Sequence, residues 1–147
     1  MNEQSQHDQI MEQIKLKMVE CQTVLRSLDK ADLVEMSKYN NPSPNFIPCM
    51  RILCLLFNLE TDPKNGSKYD PDGVFPTVKR KFAQSKVFLK SLEDFEACRV
   101  ASDKVEQIDT LVNASKLAVG QLLFTSRCLS ILANWELLTL QRCKLQN

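Results

Sequence analysis

The sequence predicts an all-α protein: a small helical bundle at the tip of an antiparallel two-helix coiled coil. Three observations lead there. Gly is rare, 3 of 147 residues, while Leu is frequent, a balance that favours helix over sheet. A long helical pattern occupies each end of the chain. The stretches between are short, carry apolar residues at helical spacing, and are separated by Pro, Asn and Gly turns. A chain of 147 residues makes one domain, long enough to bury a core.

To about Leu28 the spacing predicts one helix. Met11, Ile14, Met18, Cys21, Leu25 and Leu28 alternate steps of three and four, which is a heptad seam. A second track, Ile10, Ile14, Cys21, Val24 and Leu28, obeys nearly the same rule and is interrupted only by Lys17. Two usable seams permit two registers against a partner helix; a broad apolar face of an ordinary bundle helix is the alternative. In "KADLVEMSKYNNPSPNFIP", Asp32 with Glu35 three residues on is a capping-box signal. It opens a short helix that Asn40, Asn41 and Pro42 must end, because the residue before Pro avoids the helical region. Pro48 is acceptable in a first helical turn, where its missing N–H bonds nothing.

Ile47–Leu59, "IPCMRILCLLFNL", is apolar nearly all round except for Arg51, the pattern of a buried central helix. Asn65-Gly66 and Asp70-Pro71-Asp72-Gly73 mark a loop. Phe75–Phe82 predicts a short helix carrying basic residues. Phe88, Leu89, Leu92 and Phe95 share one helical face in the next segment, and Val105, Ile108, Leu111 and Val112 do so in the one after. From about Ala114 to Leu145 a last long helix is expected, with a seam of Ile131, Trp135, Leu138, Arg142 and Leu145. Residues 1–30 are thus the first helix of the pair, 31–125 the bundle, and 126–147 the returning helix, continuous with the last bundle helix.

Net charge is only +1, but it is unevenly placed. Between Gly73 and Leu92 stand five bases (Lys79, Arg80, Lys81, Lys86, Lys90) and no acid. Glu93–Asp109 carries six acids against two bases, and Thr110 to the end four bases against one acid. The six cysteines, Cys21, Cys49, Cys54, Cys98, Cys128 and Cys143, lack Cys-x-x-Cys spacing and follow no signal peptide. Reduced, mostly buried thiols of a cytosolic protein are expected rather than a metal site or disulfides. No apolar run approaches the roughly 20 residues of a membrane span. His7, the one histidine, sits near a terminus with no acid or nucleophile around it. No phosphate loop is present. No catalytic site, cofactor or metal is expected in this segment, and nucleic-acid binding is disfavoured because no stacking platform interleaves the cations.

The residues also resemble a known family, the microtubule-binding domain of dynein heavy chains with the adjoining ends of its two-helix stalk. "ADLVEMSKYNNPSP" is similar to the family's signature at the first stalk junction, with Ala31, Asp32, Leu33, Asn41 and Pro42 in the matching places. Cys54 in "MRILCLL" aligns with a cysteine usual in the following buried helix. "FLKSLEDFE" resembles the family's Phe-Leu-x-x-Leu helix, and Ser126 and Trp135 in "SRCLSILANW" match the Ser and Trp of the returning helix. The likeness covers roughly Leu25 to Trp135. There are departures: Ser37 and Asn40 stand where the family's first short helix usually carries lysines, with Lys38 one place away. Ser43 replaces the second proline, and Glu136 replaces an apolar residue after Trp.

The resemblance implies a bundle that binds the groove between α- and β-tubulin, far from the ATP-hydrolysing ring of a longer motor polypeptide, with affinity set by sliding of the stalk helices. It implies contacts from the first short helix (Lys38, Asn40), the basic helix after the loop (Lys79, Arg80, Lys81, Lys86) and the last helix (Lys116, Arg127). Accessory chains of the motor are a further partner class, and a cytoplasmic or axonemal setting follows. No membrane partner is implied, and the stalk reading expects a monomer. From the residues alone, the basic cluster reads better as a solvated helix face over Val78 and Phe82; the resemblance reverses that preference in favour of docking. A helical adaptor that dimerises through its terminal helices is the alternative from another class.

Overall fold

Where the sequence alternates apolar steps of three and four, the backbone closes into helix. The computed structural model describes residues 3–38, 46–115 and 126–146. Among them seven α-helices form: α1 (Glu3–Leu25), α2 (Lys30–Ser37), α3 (Phe46–Leu56), α4 (Val74–Ala83), α5 (Ser85–Glu93), α6 (Ser102–Ser115) and α7 (Arg127–Gln146). Single 3-10 turns at Pro63–Asn65 and Ala97–Arg99 punctuate the connections. The fold is an all-α bundle.

The two terminal helices pack against each other and run antiparallel. Arg127, at the start of α7, donates to the Ser27 carbonyl just past α1 at 2.6 Å. Further back on α1, the Cys21 thiol lies 3.9 Å from the Thr139 hydroxyl. With Cys21 opposite Thr139, the described part of α7 reaches back to about Ile14 at roughly 1.5 Å per residue. Ile14 is indeed the first buried residue of α1.

From Ile14 onward the packed face of α1 is the second of its two tracks with Leu25 added, while Ile10, which opens that track, is 42% exposed. Ile14, Cys21, Leu25 and Leu28 are buried, Val24 is half-buried against the core, and Lys17 is half-buried with its ammonium turned out to Glu20 at 3.3 Å. Lys17 therefore interrupts the seam less than its charge suggests, because its stem covers apolar surface while its head stays wet. Met11 and Met18, expected on the seam, are 42% and 40% exposed. Met18 lies on the flank that α7 does not cover, and Met11 precedes the overlap.

α2 begins earlier than expected. Its cap is Asp29, which accepts from the Asp32 amide at 3.0 Å while the Asp32 carboxylate accepts from the Asp29 amide at 3.1 Å. The pattern Asp29-x-x-Asp32 supplies the same reciprocal cap as Asp32-x-x-Glu35, and buried Leu28 and Leu33 flank it in the positions of a hydrophobic staple. α3 is the central helix expected, and eight of its residues are buried. It stops at Leu56 because Asn58 takes the left-handed conformation, φ 53.

α7 packs against α1, α2, α3, α6 and the Ala97–Arg99 turn, with Arg127, Asn134, Gln141 and Lys144 left exposed. Its start is set locally: the Ser126 hydroxyl accepts from the Leu129 amide at 3.1 Å. Helix α6 ends at Ser115 and α7 opens on this cap, so Ala114 and Arg127 belong to separate helices; residues 116–125 between them, Gly120 included, lie outside the described residues. Of the expected α7 seam, Trp135 is buried and Ile131 and Leu138 are half-buried. The Trp135 ring stacks on Phe57 (6.2 Å, 11°) and meets Phe95 edge-on (5.5 Å, 74°). The cluster continues from Phe57 to Phe88 at 6.0 Å and from Phe88 to Phe82 at 5.5 Å. All six cysteines are free thiols, five of them buried, and burial pushes Cys128 up to about 12.

Glu136 is 1% exposed and neither carboxylate oxygen has a hydrogen-bond partner. Desolvation raises its pKa well above the ordinary 4.5, with the Cys49 thiol a weaker, lowering influence. The native state therefore keeps a proton that the unfolded chain loses above pH 4.5. Stability is full below that pH and falls as pH rises toward the folded pKa, with a slope approaching about 1.4 kcal/mol per pH unit. Glu136→Met, similar in volume and apolar, is expected to raise the melting temperature at pH 7 and to flatten this decline between pH 5 and 8. Thermal unfolding across that pH range checks both.

Candidate basic docking face

Helix α4 is positioned by a carboxylate from outside it. Asp70, 2% exposed, accepts from the Val74 amide at 2.9 Å and from the Phe75 amide at 2.8 Å. It thus satisfies two of the donors that a helix start leaves open. Gly73 enters the helix at φ 72, and a Cβ there would run into the Asp62 carbonyl. Side chain and sterics together fix the chain's entry into α4. The Thr77 hydroxyl donates to the Gly73 carbonyl at 2.9 Å and approaches the Glu60 carbonyl at 3.4 Å, tying α4 to the chain leaving α3.

Once the axis is set, periodicity sorts the side chains. Val74, Phe75, Val78 and Phe82 of α4 and Phe88 and Leu92 of α5 are buried. Arg80, Lys81 and Lys86 are exposed, and Lys79 is half-buried with its ammonium 5.7 Å from the Phe75 ring centroid. Both readings of the cluster needed this arrangement: the apolar side anchors the helix and the cations face water.

The cations differ in what else they hold. Arg80 Nη1 lies 3.3 Å from Asp62 Oδ2. Asp62 also accepts from the Asn65 side chain at 2.7 Å, and that bond, followed by Arg80 and Lys64, keeps its carboxyl below the usual range. Lys90 pairs with Asp94 at 3.3 Å. Lys81 and Lys86 have no ion pair among the described residues, and neither has exposed Lys38 at the end of α2, which packs against α4. Arg127 is committed elsewhere: one guanidinium nitrogen reaches Asp32 at 2.8 Å and another the Ser27 carbonyl at 2.6 Å. It joins α7 to the α1–α2 corner, so its charge is already matched. Asn40 and Lys116 lie outside the described residues.

The sequence reading passed over Lys64, Lys68 and Tyr69. They sit in the loop before α4, all exposed, with Lys68 5.6 Å from the Tyr69 ring centroid. That loop is held by a bridge between Ser67 and Asp70 (2.9 and 3.2 Å) and by Asp62. The signal for its two lysines in the sequence is their alternation with Asn-Gly and Tyr among turn residues. The face thus extends from α4 and α5 onto the loop. Among the described residues no helix is long and apolar enough to cross a membrane. Comparisons with known protein families, curated proteins and solved structures found no match to this chain.

Because Asp70 holds two amides with one buried carboxylate, Asp70→Ala is expected to cost about 1–3 kcal/mol. Asp70→Asn, which keeps one acceptor, should cost less. Chemical denaturation of both variants measures the difference.

Proposed function

We propose that this chain is an ATP-independent binding module that docks its basic face on the acidic surface of microtubules, as the resemblance to dynein stalk tips implies. The observation that carries the reading is the segregation on α4 and α5. Their apolar residues are buried as a set, while Lys81 and Lys86 stay exposed without a carboxylate partner among the described residues. A few such cations, each worth about 0.2–1 kcal/mol in an exposed pair, give a weak and salt-sensitive grip and speed encounter with a negative filament. The antiparallel α1–α7 pair supports the same reading, since a stalk tip needs its two ends side by side.

A second reading is favoured by one feature. Ile10, Met11 and Met18 are 40–42% exposed; Ile10 and Met11 precede the overlap with α7, and Met18 lies on the flank it leaves uncovered. An adaptor that dimerises through its terminal helices would bury them. Sedimentation equilibrium separates the two: a monomer supports the stalk reading, and a dimer broken by Met11→Lys supports the adaptor.

For the docking reading, the chain is expected to co-sediment with polymerised microtubules at low salt and to be released as ionic strength rises. Substituting Lys79, Arg80 and Lys81 together by Glu should abolish sedimentation. Unchanged sedimentation of that variant removes the basic face as the docking surface.

A further inference from the structure

Beside the basic face, two breaks in the chain leave apolar side chains without cover. The first is at the end of α3. Left-handed Asn58 reverses the backbone, and the Leu59 amide closes on the Cys54 carbonyl at 2.9 Å, the Schellman geometry. The second is Gln84 (φ −96, ψ 56), which interrupts the helix between α4 and α5. Its amide bonds the Lys81 carbonyl at 3.0 Å and its own carbonyl accepts from the Phe88 amide at 2.9 Å.

Between these breaks lies a groove of about 270 Å³ lined by Phe57, Leu59, Lys81, Gln84, Val87 and Phe88, with Ser91 at one end. Through Leu59, Lys81 and Gln84 it opens into a shallower depression of about 520 Å³ that reaches Arg80 and Glu60. The floor is rigid, because Phe57 and Phe88 belong to the ring cluster around Trp135. One wall is Val87, at 67% the most exposed large apolar side chain among the described residues. Nothing in the core accounts for an apolar residue placed outward between Lys86 and Lys90.

The charge around the groove says what it suits. Its lining holds one cation, Lys81, and no acid. Exposed Lys86 adjoins Val87, and neither lysine has an ion pair among the described residues. In the neighbouring depression Arg80 is matched by Asp62, leaving Glu60 as the one acid on that rim. An apolar slot with an unmatched cation, Lys81, in its lining complements an apolar side chain flanked by a carboxylate.

We infer that this groove seats one apolar side chain, of leucine or phenylalanine size, from the acidic protein surface that the basic face meets, with an adjacent carboxylate of the partner on Lys81. The inference rests on the docking reading above and adds the part that charges do not supply. Exposed cations orient the partner and lose their hold as salt rises, whereas a desolvated apolar anchor is insensitive to salt and fixes position. Lys81 belongs to both, at the boundary between groove and face.

The test is co-sedimentation with polymerised microtubules over a range of salt concentrations. Val87→Ser removes the exposed wall, and Ser91→Phe fills the groove; neither changes charge. Both are expected to weaken binding several-fold at every salt concentration while keeping the wild-type salt dependence. The Lys79/Arg80/Lys81→Glu variant instead abolishes binding, and Val87→Ile retains it. Circular dichroism melting verifies each fold; if Ser91→Phe does not fold, Val87→Ser at its exposed site still decides. Wild-type binding by Val87→Ser, with loss of binding in the charge-reversed variant, overturns the groove and leaves the docking face standing. If the wild-type chain does not sediment, or the charge-reversed variant sediments unchanged, the docking reading falls and the groove inference with it.

Discussion

The structure depends on the burial of Trp135 in the middle of α7. Its indole lies flat on Phe57 and edge-on to Phe95, and through Phe57 the contact passes to Phe88 and Phe82. Aromatic rings bury large areas and prefer these offset and edge geometries, so the cluster fixes both depth and orientation. Its members come from α7, the end of α3, α4, and α5 with the turn beyond it. One packing event therefore sets the position of the end of α3, the α4–α5 pair and α7 together. Phe82 is also the inward side of the helix that carries Lys79, Arg80 and Lys81 outward. The place of the cations on the surface follows from the place of the rings inside.

Burial of so much of α7 has a cost. Glu136 and Arg142 are both buried, 1% and 7% exposed, and they do not compensate each other: both Glu136 oxygens and the Arg142 Nε lack partners. An unmatched polar group in a core opposes folding. Arg142 faces Cys21 of α1, where its charge and hydrogen bond offset part of the rise that burial gives that thiol. Glu136 faces Cys49 of α3: burial, and then Glu136, push the Cys49 thiol up, while burial raises the Glu136 carboxyl and Cys49 offsets only part of that rise. These groups sit on the contacts of α7 with α1 and α3.

The basic residues divide by commitment rather than by exposure. Arg127 and Arg80 are both more than half exposed, yet each is already paired with a carboxylate. Arg127 in particular joins three elements, and its loss would be felt first in the fold. Lys81 and Lys86 hold nothing among the described residues and are therefore available to a partner. Exposed charge in water is weak and screened, which suits a surface that engages and releases. The apolar groove beside Lys81 is where specificity beyond charge has somewhere to act.

Sequence by itself determined the all-α class and most of the inward faces, but not the break before Arg127 or the start of α2. Apolar periodicity is a local property of the chain, so α3 as the buried centre, the face of α4 behind its lysines, and the antiparallel ends were all legible. Local chemistry also held the alternatives: Asp29-x-x-Asp32 was as good a cap as the one three residues on, and both tracks of α1 obeyed the heptad. Choosing between them took the neighbours, because burial of Leu28 beside Leu33 selects the cap and the line of α7 selects Lys17 over Met18. The same holds at the site. That Lys81 is unpaired while Arg127 is spent, and that Val87 borders a groove, are facts about separate segments meeting. No periodicity encodes them, since they arise only when the rings around Trp135 bring those segments together.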